Sequence, residues 1–212
     1  KSAKPMVKLK AIIFDVDGTL ANTEEIHRQS FNEAFMEFGI NHVWSIAEYT
    51  NLLSISGGKE RITSWLQSRE TGSGGESDQR NLAISIHQRK SAIYREHLRH
   101  GRISPRPGVV RLINEARERG IRLGIATSTS LSNVETLLDC MLGEHARSWF
   151  DAIVTSDIVA EKKPSPGVYQ CALARLGLSP RDCLAIEDTT NGNRAAIACG
   201  ISTVITIHEL TT

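Results

Sequence analysis

The sequence predicts an α/β protein: a doubly wound parallel sheet carrying a small, all-helical insertion near its start. Three observations predict it. Short apolar runs of strand character alternate with segments whose apolar residues recur at helical spacing. The stretch from about Glu24 to Arg99 breaks that alternation and reads as helices only. Four polar motifs follow four of the apolar runs, where an open parallel sheet binds its ligands.

The first strand, Ala11–Asp15, is an apolar run ended by Gly18 in the segment Asp15-Val16-Asp17-Gly18-Thr19-Leu20. Strand side chains alternate with period two, so Asp15 and Asp17 begin on the same side. Two carboxylates at one strand end repel unless something neutralises them, and Mg²⁺ is the obvious cation. Taken alone, the motif also fits an acid-rich turn between a strand and a helix.

Three amphipathic helices are then expected, over Ile26–Phe38, Glu60–Arg69 and Leu82–His97, with Thr71–Gly75 as a flexible break. Residues 23–101 form the inserted domain, and 1–22 with 102–212 form the core. Pro105 and Pro107 make the return connector stiff. Core helices follow over Val109–Glu118, Asn133–Met141, Gly167–Leu176 and Gly192–Ala198. Core strands follow over Arg122–Thr127, Ala152–Thr155, Cys183–Glu187 and Thr203–Ile207.

The second motif, Thr127-Ser128-Thr129, ends a strand in hydroxyls, which bind phosphate at a helix N-terminus or simply cap the helix. The third is Glu161-Lys162-Lys163-Pro164. A lysine before proline is held extended, and its ammonium either meets a phosphate or is solvated. The fourth, Glu187-Asp188, adds two carboxylates after an apolar strand. Burying four acids in one crevice without a cation would be very costly.

Composition excludes several classes. The 212 residues are 40% hydrophobic and 23% charged, ordinary for a globular protein. A net charge of +1 makes no electrostatic case for nucleic acid or an anionic membrane. No apolar stretch approaches a membrane span, and Lys1–Pro5 lacks the apolar region of a secretory signal. Cys140, Cys171, Cys183 and Cys199 lack CxxC spacing and read as buried free thiols of a reducing compartment. The expectation is a cytoplasmic (or plastid-stromal) monomer.

Asp15-Val-Asp-Gly-Thr-Leu20, the strand ending at Thr127, Lys163-Pro164 and Glu187-Asp188 together resemble the haloacid dehalogenase-type phosphohydrolase superfamily. The motifs stand in its order and span nearly the whole chain. The resemblance implies a Rossmann-like core with a four-helix cap. It implies Asp15 as nucleophile and Asp17 as general acid and base. It places Mg²⁺ on Asp15, the Asp17 carbonyl and Asp188, with Glu187 close by or on a metal-bound water, and the transferring phosphoryl on Thr127 and Lys163. Dehalogenases of that superfamily usually lack the second acid, so Asp17 favours phosphate chemistry.

The cap would choose the substrate. Thr23, Glu24 and His27 follow the first motif; His27 reads equally as a partly buried structural histidine. The loop Ser54–Arg61 carries Lys59 and Arg61 beside the paired glycines Gly57 and Gly58. Either cation suits a second phosphate, or both are surface charges at a helix start. Lys90 is either a ligand or a cation on an exposed helix face. His27-x3-Phe31, Gly57-Gly-Lys-Glu-Arg-Ile62 and Gly101-x3-Pro-Arg-Pro-Gly-Val109 resemble the CbbY-type branch, neighbour of the β-phosphoglucomutases. Thr23, His27 and Lys90 match cap residues of those mutases. That resemblance implies a sugar bisphosphate substrate such as xylulose 1,5-bisphosphate. The rival readings are a phosphomutase, a phosphoglycolate-type phosphatase and a silent sugar-phosphate sensor.

Overall fold

The computed structural model describes residues 8–69, 76–101 and 103–207. Five strands, β1 (Ala11–Phe14), β2 (Arg122–Ala126), β3 (Ala152–Val154), β4 (Cys183–Glu187) and β5 (Ser202–Ile205), form one parallel sheet ordered β3-β2-β1-β4-β5. The first strand is therefore central, with Phe14 beside Ile125 on one side and Ile186 on the other.

Both sheet faces are covered, as continuous apolar strands demand. Ile12, Phe14, Leu123 and Ile125 join one core with Ile113 of α5 (Val109–Glu118) and Val134, Leu137 and Leu138 of α6 (Leu131–Leu142). Ala11, Ile13, Ala126 and Ala185 join the other with Tyr169 and Ala172 of α7 (Gly167–Leu176) and Ala195 of α8 (Thr190–Ala198). Strand β5 lies at the edge, two residues shorter at its end than expected, with Val204 and Ile205 exposed.

Among the described residues, four helices lie between β1 and α5: α1 (Glu24–Glu37), α2 (Ile46–Leu52), α3 (Gly58–Ser68) and α4 (Glu76–Arg99). They bury an apolar cluster of their own, including Phe31, Phe35, Trp44, Tyr49 and Trp65. Sequence patterning misses α2, whose seven residues are too few to show a helical period. Its start was nevertheless written: Ser45 caps it by accepting from the Glu48 amide at 3.2 Å, the first half of a capping box. Helix α4 begins six residues before the expected Leu82, and the expected break at Thr71–Gly75 lies outside the described residues.

Two connectors join the helical insert to the sheet, and they are tied together. Ala21 bridges Pro105, and the Arg106 amide donates to Leu20 O at 2.8 Å. The Arg106 guanidinium donates to Gly18 O at 2.9 Å and Asn22 Oδ1 at 3.0 Å. The insert also touches the core across the strand ends, where Asn191 donates to Ser56 Oγ at 3.2 Å.

The cysteines correct one expectation. Only Cys183 is buried; Cys171 and Cys199 are half-buried, and Cys140 is exposed on the face of α6 opposite Val134, Leu137 and Leu138. All four are free thiols. No described helix is long and apolar enough to cross a membrane.

Candidate active site

The central position of β1 puts its C-terminal end against the ends of β2 and β4, and three carboxylates converge there. Asp15, Glu187 and Asp188 each offer an oxygen within 4.8 Å of the others, and all three residues are buried. Lys163, also buried, reaches into the group. Its ammonium donates to Asp15 Oδ1 at 2.6 Å, Glu187 Oε1 at 2.6 Å and Ala126 O at 2.8 Å. The Lys163–Pro164 peptide is cis, a feature absent from the sequence-based expectation.

The ammonium bonds two of the three carboxylates, Asp15 and Glu187, and all three acids crowd one another. Burial pushes the Asp15 carboxyl well up; Lys163 opposes that, and Glu187 and Asp188 reinforce it. Burial works against the Lys163 ammonium, but its two carboxylate partners win and raise it above the ordinary lysine value. Glu187 Oε2 is buried with no hydrogen-bond partner. A hard cation fits this donor set: it takes oxygen ligands and would supply positive charge among the crowded carboxylates.

Asp17, two residues on, has different neighbours. Its Oδ1 accepts from Thr23 Oγ1 at 2.7 Å and is 2.9 Å from His27 Nε2. The other ring nitrogen, Nδ1, is 2.7 Å from Lys90 Nζ. A protonated Lys90 donates to Nδ1, which leaves the imidazole hydrogen on Nε2, directed at Asp17. Burial alone would raise the Asp17 carboxyl; His27, Thr23 and Lys90 together outweigh it and hold it at about 2.

Lys90 is only 4% exposed, which overturns the reading of a cation on an exposed helix face. Its Nζ lies 4.5 Å from the Phe31 ring centroid and 5.3 Å from that of Tyr94. Burial lowers it to about 7, although Asp17 and Glu24 pull the other way. Between pH 7 and 10 the unfolded chain therefore holds a proton that the folded protein does not, and stability rises with pH. Lys90→Met should remove a rise on the order of 3 kcal/mol across that window. Urea unfolding at pH 7 and pH 10 checks it; equal pH slopes for the two proteins would contradict the placement.

A cavity of about 310 Å³ joins the two centres. Asp15, Asp17, Glu24, His27, Gly57, Gly58, Lys59, Arg61, Lys90, Thr127, Ser128, Lys163 and Asp188 all line it. Two expected residues do not: Thr23 is buried behind Asp17, and Glu187 behind Lys163. Arg61 lines the wall, but its guanidinium is engaged within the insert, donating to Leu52 O, Ile55 O and Tyr49 Oη. Lys59 is exposed, 3.7 Å from Glu60. Gly57 has φ +96°, the left-handed region, and a Cβ there would collide with Glu60. A Cβ on Gly58 would stand 2.8 Å from His87.

Sequence reasoning missed several contributors. Lys162 and His87 line the cavity, and Tyr49 donates to Glu24 Oε2 at 2.7 Å. Tyr169 donates to Glu187 Oε1 at 2.5 Å. Lys162 was visible beside Lys163. Tyr169 sits in an apolar helical pattern that signals core packing only, and Tyr49 in a helix too short to show a pattern.

A family model for haloacid dehalogenase-like hydrolases matches residues 9–200. The protein CbbY of Cereibacter sphaeroides is 45% identical over 198 residues, covering 93% of this chain and 84% of that protein. The crystal structure of CbbY from Rhodobacter sphaeroides in complex with phosphate matches with TM-score 0.87 at 43% identity, over 96% of this chain and 88% of that one. A mutant of it in complex with xylulose-(1,5)bisphosphate matches with TM-score 0.87 at 42% identity and the same coverage.

Proposed function

The chain belongs to the haloacid dehalogenase-like hydrolases, in their CbbY-type branch, and from that premise we propose a Mg²⁺-dependent phosphatase that removes phosphate from a small sugar bisphosphate through an aspartyl phosphate. One observation carries this reading: a buried lysine bonded to two of three converging buried carboxylates, with Asp15, Asp188 and Lys163 lining a polar cavity. Residues 23–101 act as the cap and the remainder as the catalytic core.

Mg²⁺ would be held by Asp15, Asp188 and the Asp17 carbonyl, with Glu187 accepting from a bound water. When present it supplies positive charge that lets an anionic nucleophile approach an anionic phosphoryl group. Asp15 attacks phosphorus as the ester P–O bond breaks. The departing alkoxide takes a proton from Asp17, which is ionised in the substrate-free site and gains that proton as the anionic substrate binds beside it. A water then gives its proton to Asp17 and attacks the aspartyl phosphate, which frees phosphate and restores the Asp15 carboxylate. Lys163 and the Thr127 hydroxyl bear on the phosphoryl oxygens as charge develops. Thr23 and His27 orient Asp17 through the hydrogen bonds described above.

The bisphosphate class is supported by Lys59 and Lys162, two cations that line the same cavity as Asp15 and Lys163. It is supported also by the bisphosphate held by the Rhodobacter relative. Arg61 serves this cavity indirectly, by holding the Leu52 and Ile55 carbonyls of its own loop. Lys59→Ala should therefore raise KM for xylulose 1,5-bisphosphate about 10-fold with kcat little changed, the mark of a binding contact. The KM for a sugar monophosphate should stay within about twofold. An unchanged bisphosphate KM would contradict the substrate class.

A further inference from the structure

Glu187 is gripped by one oxygen only. Its Oε1 accepts from both Lys163 Nζ at 2.6 Å and Tyr169 Oη at 2.5 Å, while Oε2 has no partner. A carboxylate offers acceptor sites on both oxygens, so doubling the donors on one is a choice of orientation. The backbone of α8 closes the remaining side. A Cβ on Gly192 would stand 1.9 Å from Oε2 and 2.4 Å from Oε1, so the carboxylate lies directly against that glycine.

The two donors are not equivalent. Lys163 also serves Asp15, and in the proposed reaction it bears on the phosphoryl oxygens. Tyr169 gives its hydroxyl to Glu187 and is 0% exposed, packed between α7 and the sheet. Burial and the nearby Glu187 and Asp15 charges raise its phenol well above the ordinary value, so the hydroxyl remains a donor. The Lys163 ammonium lies 5.3 Å from its ring centroid, so the same side chain also lines the lysine's path.

We propose that Tyr169 is a positioning residue for the metal site: it holds Glu187 by Oε1, against Gly192 and beside Asp15 and Asp188, even while Lys163 is drawn to the phosphoryl group. The proposal rests on Mg²⁺ binding at Asp15 and Asp188, and says nothing about which sugar phosphate is cleaved. Partners of this kind, which hold a group that in turn serves the metal, typically alter metal affinity 10- to 100-fold.

The test is Mg²⁺ binding by calorimetry, without substrate, on the wild type, Tyr169→Phe, Glu187→Gln and the double variant. Tyr169→Phe should weaken Mg²⁺ binding about 10-fold. Added to Glu187→Gln, it should cost less than about twofold, because the carboxylate it orients is gone. A Tyr169→Phe protein that binds Mg²⁺ as well as the wild type would overturn the proposal. So would an equal loss in both backgrounds, or a variant that fails to fold, since the hydroxyl would then serve the fold alone. Absent Mg²⁺ binding by the wild type would instead overturn the metal assignment beneath it.

Discussion

Asp15→Asn should lower turnover by at least about 10³-fold, the scale on which enzymes lose a covalent nucleophile. Asparagine keeps the shape of the side chain but offers no charged oxygen to phosphorus. The folded protein should tolerate it well. Asp15 is buried beside Glu187 and Asp188, and burial opposes its ionised form. Removing one of three crowded carboxylates leaves Lys163 still bound to Glu187 and Ala126 O. The melting temperature in Mg²⁺-free buffer should therefore lie at or above that of the wild type. Phosphate-release kinetics and thermal unfolding of the purified variant check both halves. Substantial residual turnover would remove Asp15 from the reaction; a large drop in melting temperature would mean that its charge holds the fold.

Lys163→Met should be damaging in both respects. Lys163 is 5% exposed and pairs with both Asp15 and Glu187, the latter 0% exposed. Breaking a buried ion pair from one side costs about 3–5 kcal/mol, because the remaining charge is left without compensation. Here two carboxylates would be left, with Asp188 beside them. The loss should follow ionisation: below the pH at which the buried carboxyls protonate it should shrink, and above it should be full. Mg²⁺ should recover part of the stability, since it neutralises the same oxygens. Turnover should fall by about 10²–10³-fold from lost stabilisation of the phosphoryl charge. Urea unfolding with and without Mg²⁺ is the measurement. A variant as stable as the wild type without Mg²⁺ would contradict the charge balance described for this site.

The contrast between these residues and the missed ones has a physical basis. Asp15, Thr127, Lys163 and Glu187-Asp188 were legible because each follows an apolar strand, Lys163 also standing just before a proline, and a parallel sheet sends all such ends to one edge. The sheet itself was legible from the same runs. The wall of the cavity was not. His27 and Lys90 lie 63 positions apart, and their contact depends on how α1 and α4 pack. A lysine in an amphipathic helix reads as solvated until the packing shows what covers it, here Phe31 and Tyr94. Arg61 was named as a ligand because of its charge, yet its bonds close its own loop. Tyr169 resembles any core aromatic in α7, and only the fold shows Glu187 at its hydroxyl. Helix α2 was too short for periodicity, although Ser45 and Glu48 marked its start.

The central claim is that this site hydrolyses a sugar bisphosphate with the help of a divalent cation. The most direct measurement is phosphate release over a panel of sugar mono- and bisphosphates, with Mg²⁺ and with a chelator. The account predicts free phosphate from xylulose 1,5-bisphosphate at a kcat/KM well above that for any monophosphate, and none once Mg²⁺ is removed. Release that persists without Mg²⁺ would contradict the metal assignment. An isomeric sugar phosphate in place of free phosphate would make the chain a phosphomutase and contradict the proposed hydrolysis.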